Sequence, residues 1–482
     1  MAYAHHERLT ALDASFLALE DAATHMHIGA VALFDAGPLR TPAGGLDVDR
    51  VRALVEAGMH RIPRYRQRIV RTPLSGAPVW VDDDRFNVHY HLRHTHLPVP
   101  GDERQLKRLA GRIMSQQLDR GKPLWEMWLV EGLQGDRFAI ITKVHHCMID
   151  GVGSVELTGS VMRPTPDRDP RPDHPPARWL PRPAPRPAQL LAADVWRRAT
   201  AQLAPLARVP DALRDPAGVA REIGDALAGV REALAAGFSP ASPTPLNTEI
   251  GPHRRFDWLG VDLAAVRTVK DRVGATVNDV LLSVLAGALR RFLRQRGLAP
   301  DGLDFRAILP VNVRTADERA SLGNRVAMLV VRLPLDERDP VRRLERVVAE
   351  TRTRKHSRQA LGVRTIEEVS DRSFMTLFTQ FSRLAARSRP FNLVVTNVPG
   401  PQFPVYVDGA RMLACYPLVP LFENQALGVA LFSYDGRIYW GFNGDWDAVP
   451  DLHDVVEAVE TEFRALVDAA GGTGPVSVAR SA

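Results

Sequence analysis

The run His145-His146-Cys147-Met148-Ile149-Asp150-Gly151-Val152-Gly153-Ser154 gathers two adjacent imidazoles, a thiol and a carboxylate into ten residues. Near neutral pH an uncharged imidazole is the side chain best suited to take a proton from a hydroxyl as that hydroxyl attacks a carbonyl. Two neighbouring histidines on a strand cannot share that task, because successive side chains point to opposite faces. Alternation groups Phe138, Ile140, Val144 and His146 on one face and Lys143 and His145 on the other. His146, at the strand end and ahead of a glycine-rich turn that leaves space, is the candidate base. His145 becomes its neighbouring support. Asp150 stands where a helix N-cap would stand, just before Gly151, and its carboxylate is expected to fix the loop.

Other chemistries fit less well. A Cys147 nucleophile would need His146 beside it, yet adjacent strand residues diverge. A metal would need a third and a fourth ligand that this pattern does not supply, so no metal is expected. The chain has no Gly-x-Ser-x-Gly elbow of the serine-hydrolase kind. Outside the run, Thr276 and Asp279 have capping-box spacing and open a helix. Asn278 at that helix start is either a donor to a developing oxyanion, helped by the helix dipole, or a cap and packing contact. Pro123, Leu124 and Trp125 precede a strand; they read mainly as packing residues and are also carried as substrate-channel candidates.

The elements that must position these groups follow from periodicity. A hairpin turning through Gln134-Gly135-Asp136 delivers the histidines. Met26-His27-Ile28-Gly29 opens an edge or interdomain strand, with His27 an ordinary structural histidine. Helices are expected over 51–60 and 106–118. A stretch rich in Pro and Arg over 164–187 reads as a linker, and an apolar stripe over 219–234 as a connecting helix packed on a domain, with a membrane-surface helix as the alternative. The second half alternates strands at 255–259, 305–313, 326–333, 392–396, 427–432 and 437–442 with helices at 262–274, 276–296, 341–355, 374–386 and 452–469. The resulting division is 1–163, a linker region over 164–245, 246–472 and a flexible tail over 473–482.

At 482 residues the chain exceeds one compact core, and 45% hydrophobic with 24% charged residues is a globular balance. The net charge of +6 comes from 62 basic against 56 acidic residues, a mild excess that suits a phosphorylated substrate or an anionic membrane surface as well as nucleic acid. Cys147 and Cys415 are the only cysteines and make no disulfide framework. The first residues lack the apolar core of a signal peptide, and the longest apolar stretch, 280–289, is about half of a membrane span. These features lead to the expectation of a reduced, cytoplasmic protein.

The His145-His146-x-x-x-Asp150-Gly151 run resembles the signature of the CoA-dependent acyltransferase superfamily. Further pieces narrow the resemblance to the bacterial wax ester synthase/diacylglycerol acyltransferase family: Leu12-Asp13 with Phe16-Leu17, Met26-His27-Ile28-Gly29, Pro123-Leu124-Trp125, Asn278-Asp279, Pro310-Val311-Asn312-Val313-Arg314, Gly323-Asn324-Arg325 and Thr396-Asn397-Val398-Pro399-Gly400-Pro401. They occur in the family's order over nearly the whole chain. His25 departs from the proline common before Met-His, and the Pro/Arg-rich stretch is longer than usual. The resemblance implies a mixed α/β fold of two chloramphenicol-acetyltransferase-like domains, with the active-site channel between them. It implies transfer of a fatty acyl group from acyl-CoA, a co-substrate and not a cofactor, to diacylglycerol or a long-chain alcohol. His146 would be the general base, Asp150 and Gly151 would shape the loop, and neither a metal nor a nucleic-acid partner is implied. Lipid substrates make a peripheral position at the inner membrane face or a lipid droplet the expected location. A condensation-type transferase using another donor, and a non-catalytic lipid-binding protein of the same fold, are the alternatives.

Overall fold

The computed structural model describes residues 5–148, 156–170, 179–207, 240–312, 326–356, 389–471 and 478–479. Asp150, Gly151, the stripe over 219–234 and the helix expected over 374–386 lie outside the described residues.

The expected hairpin is present. Trp125–Leu133 and Arg137–His145 pair antiparallel, and Gly135 and Asp136 close the turn with φ of 76° and 54°, the left-handed backbone that tight hairpins require. Arg137–His145 is buried almost throughout, which explains why it reads as a near-continuous apolar run. Leu92–His96 adds to the hairpin in parallel on one side, and His27–Asp35 adds antiparallel on the other. Gly29 lies opposite Lys143, where a Cβ would come within 2.0 Å of the Thr142 carbonyl oxygen. Only glycine lets these two strands approach so closely.

His27–Asp35 is not an edge strand, which corrects one of the two expectations for it. Its other neighbour, Ala410–Leu418, comes from the C-terminal half and is followed outward by Tyr406–Val407. The apolar interior beneath this six-stranded sheet also takes in Phe256, Trp258, Tyr434 and Tyr439. The halves of the chain are thus joined by a shared sheet and a shared core.

A seven-stranded mixed sheet forms the second layer system, with Leu393–Pro399 running parallel to both Phe305–Asn312 and Leu427–Tyr434. Val478–Ala479, expected within a flexible tail, pairs antiparallel with Val261 and Gly260 at its edge. Helix Val277–Gln295 is buried throughout 279–290 among the residues of this sheet and helices Pro340–His356 and Leu452–Ala469, with its polar residues mainly at its two ends. Among the described residues no single helix is long and apolar enough to cross a membrane; Leu263–Val273 and Val277–Gln295 have the length and composition only as a pair, bent by 99°.

Helix Glu103–Met114 joins the two halves. Asp102 and Gln105 form its capping box, and Gly111 lies so close to strand Arg254–Asp262 that a Cβ would stand 2.7 Å from the Arg254 carbonyl oxygen. Lys107 pairs with Asp257 at 2.5 Å and sits over the Trp258 ring.

Candidate active site

The strand that carries the histidines ends at His145, and His146 begins a 3-10 turn, His146–Met148. Backbone bonds pin this junction from both neighbours: His145 N–H donates to the Leu124 carbonyl at 2.9 Å and His146 N–H to the Met26 carbonyl at 2.8 Å. The two imidazoles enter different environments, as alternation predicts, although the turn rather than the strand sets the direction of His146. Its ring is half-buried and stacks on Phe16 with centroids 3.8 Å apart. Phe16 is placed by helix Ala11–Leu19, whose first turn is closed by the Thr10 hydroxyl accepting from Asp13 N–H at 3.1 Å. Burial, aided by the nearby His145, pushes the His146 pKa down to about 4. The ring is therefore neutral at physiological pH and able to accept a proton.

His145 is fully buried and bound on its other side. Its Nδ1 accepts from Cys147 N–H at 3.1 Å, which leaves Nε2 as the ring's N–H. That nitrogen lies 3.6 Å from a Glu20 carboxylate oxygen. The other Glu20 oxygen lies 3.3 Å from His27 Nε2, and Arg120 donates to Glu20 at 2.7 and 3.1 Å. Burial opposes the charge on Glu20, but the two imidazoles and the guanidinium prevail and hold its carboxyl well below the usual carboxylate range. His27 is pushed by burial down to about 3 despite that carboxylate. His27 is thus more than an ordinary packed histidine: it is His145's direct cross-strand partner and shares its anion.

Glu20 and Arg120 had no motif to mark them. Glu20 is the residue that ends the first helix, and nothing local distinguishes it from any exposed carboxylate; its side chain is nevertheless only 3% exposed.

Lys143, on the same strand as His145, is completely buried. Its ammonium donates to the carbonyls of Ile113, at 3.0 Å, and Gln116, at the end of helix Glu103–Met114, where the dipole favours a cation. Burial lowers its pKa to about 8. The Cys147 thiol is buried and its pKa is driven well up, which opposes the thiolate that a nucleophile requires.

Pro123, Leu124 and Trp125 have buried side chains. Trp125 donates its indole N–H to the Tyr65 carbonyl at 2.8 Å and stacks on His91 at 4.6 Å. Together with the Leu124 carbonyl, these contacts hold the end of the histidine strand.

Asn278 and Asp279 lie elsewhere, at the start of helix Val277–Gln295. Asp279 completes the expected capping box with Thr276 and accepts from the Thr351 hydroxyl at 2.7 Å. Asn278 is exposed, and its amide oxygen accepts from Asn397. The crevice they share with Leu309, Pro310 and Leu431 holds about 30 Å³, roughly the share of one water molecule. No hydrogen bond joins this pair to the histidine turn among the described residues.

The wax ester synthase/diacylglycerol acyltransferase catalytic domain matches residues 9–281 and the corresponding C-terminal domain matches 322–467. A Mycobacterium tuberculosis chain named as a candidate diacylglycerol O-acyltransferase is 33% identical over 477 residues, covering 97% of this chain and 91% of its own. Another from the same organism, named for tgs1, is 32% identical over 470 residues and 95% of each chain. The wax ester synthase/diacylglycerol acyltransferase of Marinobacter aquaeolei VT8 superposes with a TM-score of 0.68 at 26% identity, over 96% of this chain and all of that one. The first condensation domain of the CDA synthetase, 18% identical with a TM-score of 0.57 over the full length of both chains, shares the fold. With both domains matched in order and relatives aligned over nearly their whole length, the chain belongs to the wax ester synthase/diacylglycerol acyltransferase family of two-domain, mixed α/β acyltransferases.

Proposed function

We propose that the protein transfers a long-chain fatty acyl group from acyl-CoA to the hydroxyl of diacylglycerol or a long-chain alcohol, with His146 as the general base. The observation that carries this reading is the His146 ring itself, kept neutral by burial and held against Phe16 at the end of a rigid strand. As the hydroxyl oxygen attacks the thioester carbonyl carbon, its proton passes to His146. The tetrahedral intermediate collapses, the carbon–sulfur bond breaks, and CoA leaves as a thiolate that the imidazolium can protonate. The product is an ester and the histidine returns to its neutral form. His145 acts on His146 only through position, held by Glu20. Asp150 and Gly151 lie outside the described residues and keep only the loop-shaping role that the family resemblance implies; Asn278 is an oxyanion donor only if the acyl carbonyl reaches the second half of the protein. The reaction so written requires no metal and no cofactor beyond its co-substrate.

The test is to incubate the purified protein with palmitoyl-CoA and either diacylglycerol or hexadecanol and to follow free thiol. Acceptor-dependent thiol release is the expected result. Tight lipid binding with no release for any acceptor would instead favour a lipid-binding protein. The condensation-domain fold motivates a second comparison, CoA-linked against carrier-protein-linked acyl donor; turnover with the carrier alone would displace the first reading.

The protein is further proposed to work in the cytoplasm as a peripheral protein, at the inner membrane face or a lipid droplet. Helix Pro187–Ala207 supports this by exposing Leu191 and Val195 on one face and Trp196, 73% accessible, on its flank. Replacing Val195 and Trp196 together with serine is expected to reduce co-sedimentation with anionic vesicles several-fold. Unchanged co-sedimentation would remove this helix from the membrane contact.

A further inference from the structure

Of the two substrates in the proposed reaction, only the acyl donor carries negative charge, in its phosphates. The acceptor is neutral. A phosphate-bearing donor needs basic groups within reach of the histidine turn, and a cleft among the described residues meets both conditions. Its volume is about 540 Å³, and its wall includes Met148, Arg61, Arg64, Trp179 and Arg182. Met148 is the last residue of the turn that His146 begins; two Cα–Cα steps put their Cα atoms at most about 8 Å apart. The cleft therefore opens beside the candidate base.

The three guanidinium groups differ in how firmly they are engaged. Arg182 is fixed on Asp82, with two side-chain bonds at 2.8 and 3.0 Å and a backbone bond at 2.9 Å. Arg64 donates to the Gln67 amide oxygen at 2.9 Å, lies over the Trp80 ring and pairs with Glu7 at 2.7 Å; the Glu7 side chain is 55% exposed, so that ion pair is solvated and weak. Arg61 is exposed and has no acidic partner among the described residues. Arg61 is thus available to an incoming anion, Arg64 is placed to exchange its solvated carboxylate partner for one, and Arg182 holds the wall. Trp179 supplies a flat ring, braced by the Arg66 guanidinium at 4.6 Å from its centroid and by Phe86 edge-on at 6.3 Å. Guanidinium groups beside an indole suit a ligand that joins phosphates to a planar base.

We infer that this cleft binds the phosphate-bearing nucleotide end of the acyl donor, through Arg61 and Arg64 with Trp179 as a stacking surface, and feeds the thioester past Met148 toward His146. The inference rests on the acyl-CoA reading above, and its test separates the two. Arg61→Ala, Arg64→Ala and the double variant are assayed with palmitoyl-CoA and with palmitoyl-S-N-acetylcysteamine, a thioester without phosphates. For the double variant, KM for palmitoyl-CoA is expected to rise by about tenfold or more, while the constants for the truncated donor stay unchanged. An unchanged KM for palmitoyl-CoA, or an equal loss with both donors, would overturn the inference. Calorimetric titration of free CoA into the wild type and the double variant reads the cleft even if turnover is absent; equal affinities would also overturn it. Vesicles containing phosphatidylglycerol provide the last arm. If the double variant loses vesicle binding but keeps its CoA affinity, the cleft recognises a lipid headgroup and the donor assignment fails. Arg61→Gln and Arg64→Gln, which retain polar side chains, serve if the alanine variants unfold at lower temperature than the wild type.

Discussion

His146→Ala is expected to lower turnover by about two orders of magnitude or more, the usual range for loss of a positioned general base. The variant should fold, because the ring is half-buried and its main packing contact is the one face of Phe16. Cys147→Ala, one residue away, is expected to keep most of the activity, since its buried thiol is held protonated. Steady-state thiol release with palmitoyl-CoA and an acceptor measures both, and full activity in folded His146→Ala would remove His146 from the chemistry. The same variant has a signature in stability. His146 is held down at about 4 and His27 at about 3, against 6.5 for an unperturbed imidazole. As pH falls below about 6.5, the unfolded chain therefore takes up protons before the folded one, and stability declines toward pH 4. Above that window the effect is absent. His146→Ala should flatten the decline by up to one proton's worth of slope, as read by denaturant titration at a series of pH values.

The second large effect is expected at Glu20. Glu20→Ala strips a buried carboxylate from two imidazoles and a guanidinium, and breaking a buried charge pair from one side costs about 3–5 kcal/mol. Glu20→Gln keeps the shape and loses the charge, so the expected stability loss is smaller while turnover falls roughly tenfold, with KM for the acyl donor little changed. Such a drop in kcat alone identifies a positioning residue, because a general loss of folded protein would not alter the ratio measured per folded molecule. Linkage supplies a second readout. The folded carboxyl of Glu20 lies below its ordinary value of 4.5, so its contribution is present above about that pH and lost as pH falls toward the folded value. In Glu20→Gln that acid-side loss should disappear. Wild-type kcat in folded Glu20→Gln would show that the His145 environment does not matter to the reaction.

Much of the scaffold is legible because its signals are local. The hairpin turn at Gly135 and Asp136, the capping box at Thr276, and the left-handed Gly274 that stops helix Leu263–Val273 at φ 67° all act within a few residues; the helix expected over 106–118 instead spans Glu103–Met114, started by the Asp102 capping box. The separate environments of His145 and His146 are partly legible for the same reason: the strand's pleat and its end divide them, although the 3-10 turn sets the direction of His146. Strand Ala410–Leu418 also carries an alternating pattern of buried and exposed residues, but alternation cannot say which sheet a strand will join. Its partner is His27–Asp35, nearly four hundred residues away, and its Tyr416 ring stacks at 4.7 Å on Trp258 of the other sheet.

The site divides along the same line. The sequence by itself determined the candidate base, the strand that carries it, the caps around Asn278 and Asp279, and the family to which those motifs point. Tertiary structure alone decided that Glu20 and Arg120 stand behind His145, that His27 shares their charge, that Phe16 faces His146, and that Arg61 and Arg64 line a cleft at Met148. The physical reason is that side-chain type and period fix local geometry, whereas burial, and with it the neutrality of His146 and the persistent charge of Glu20, depends on which distant segments exclude water together.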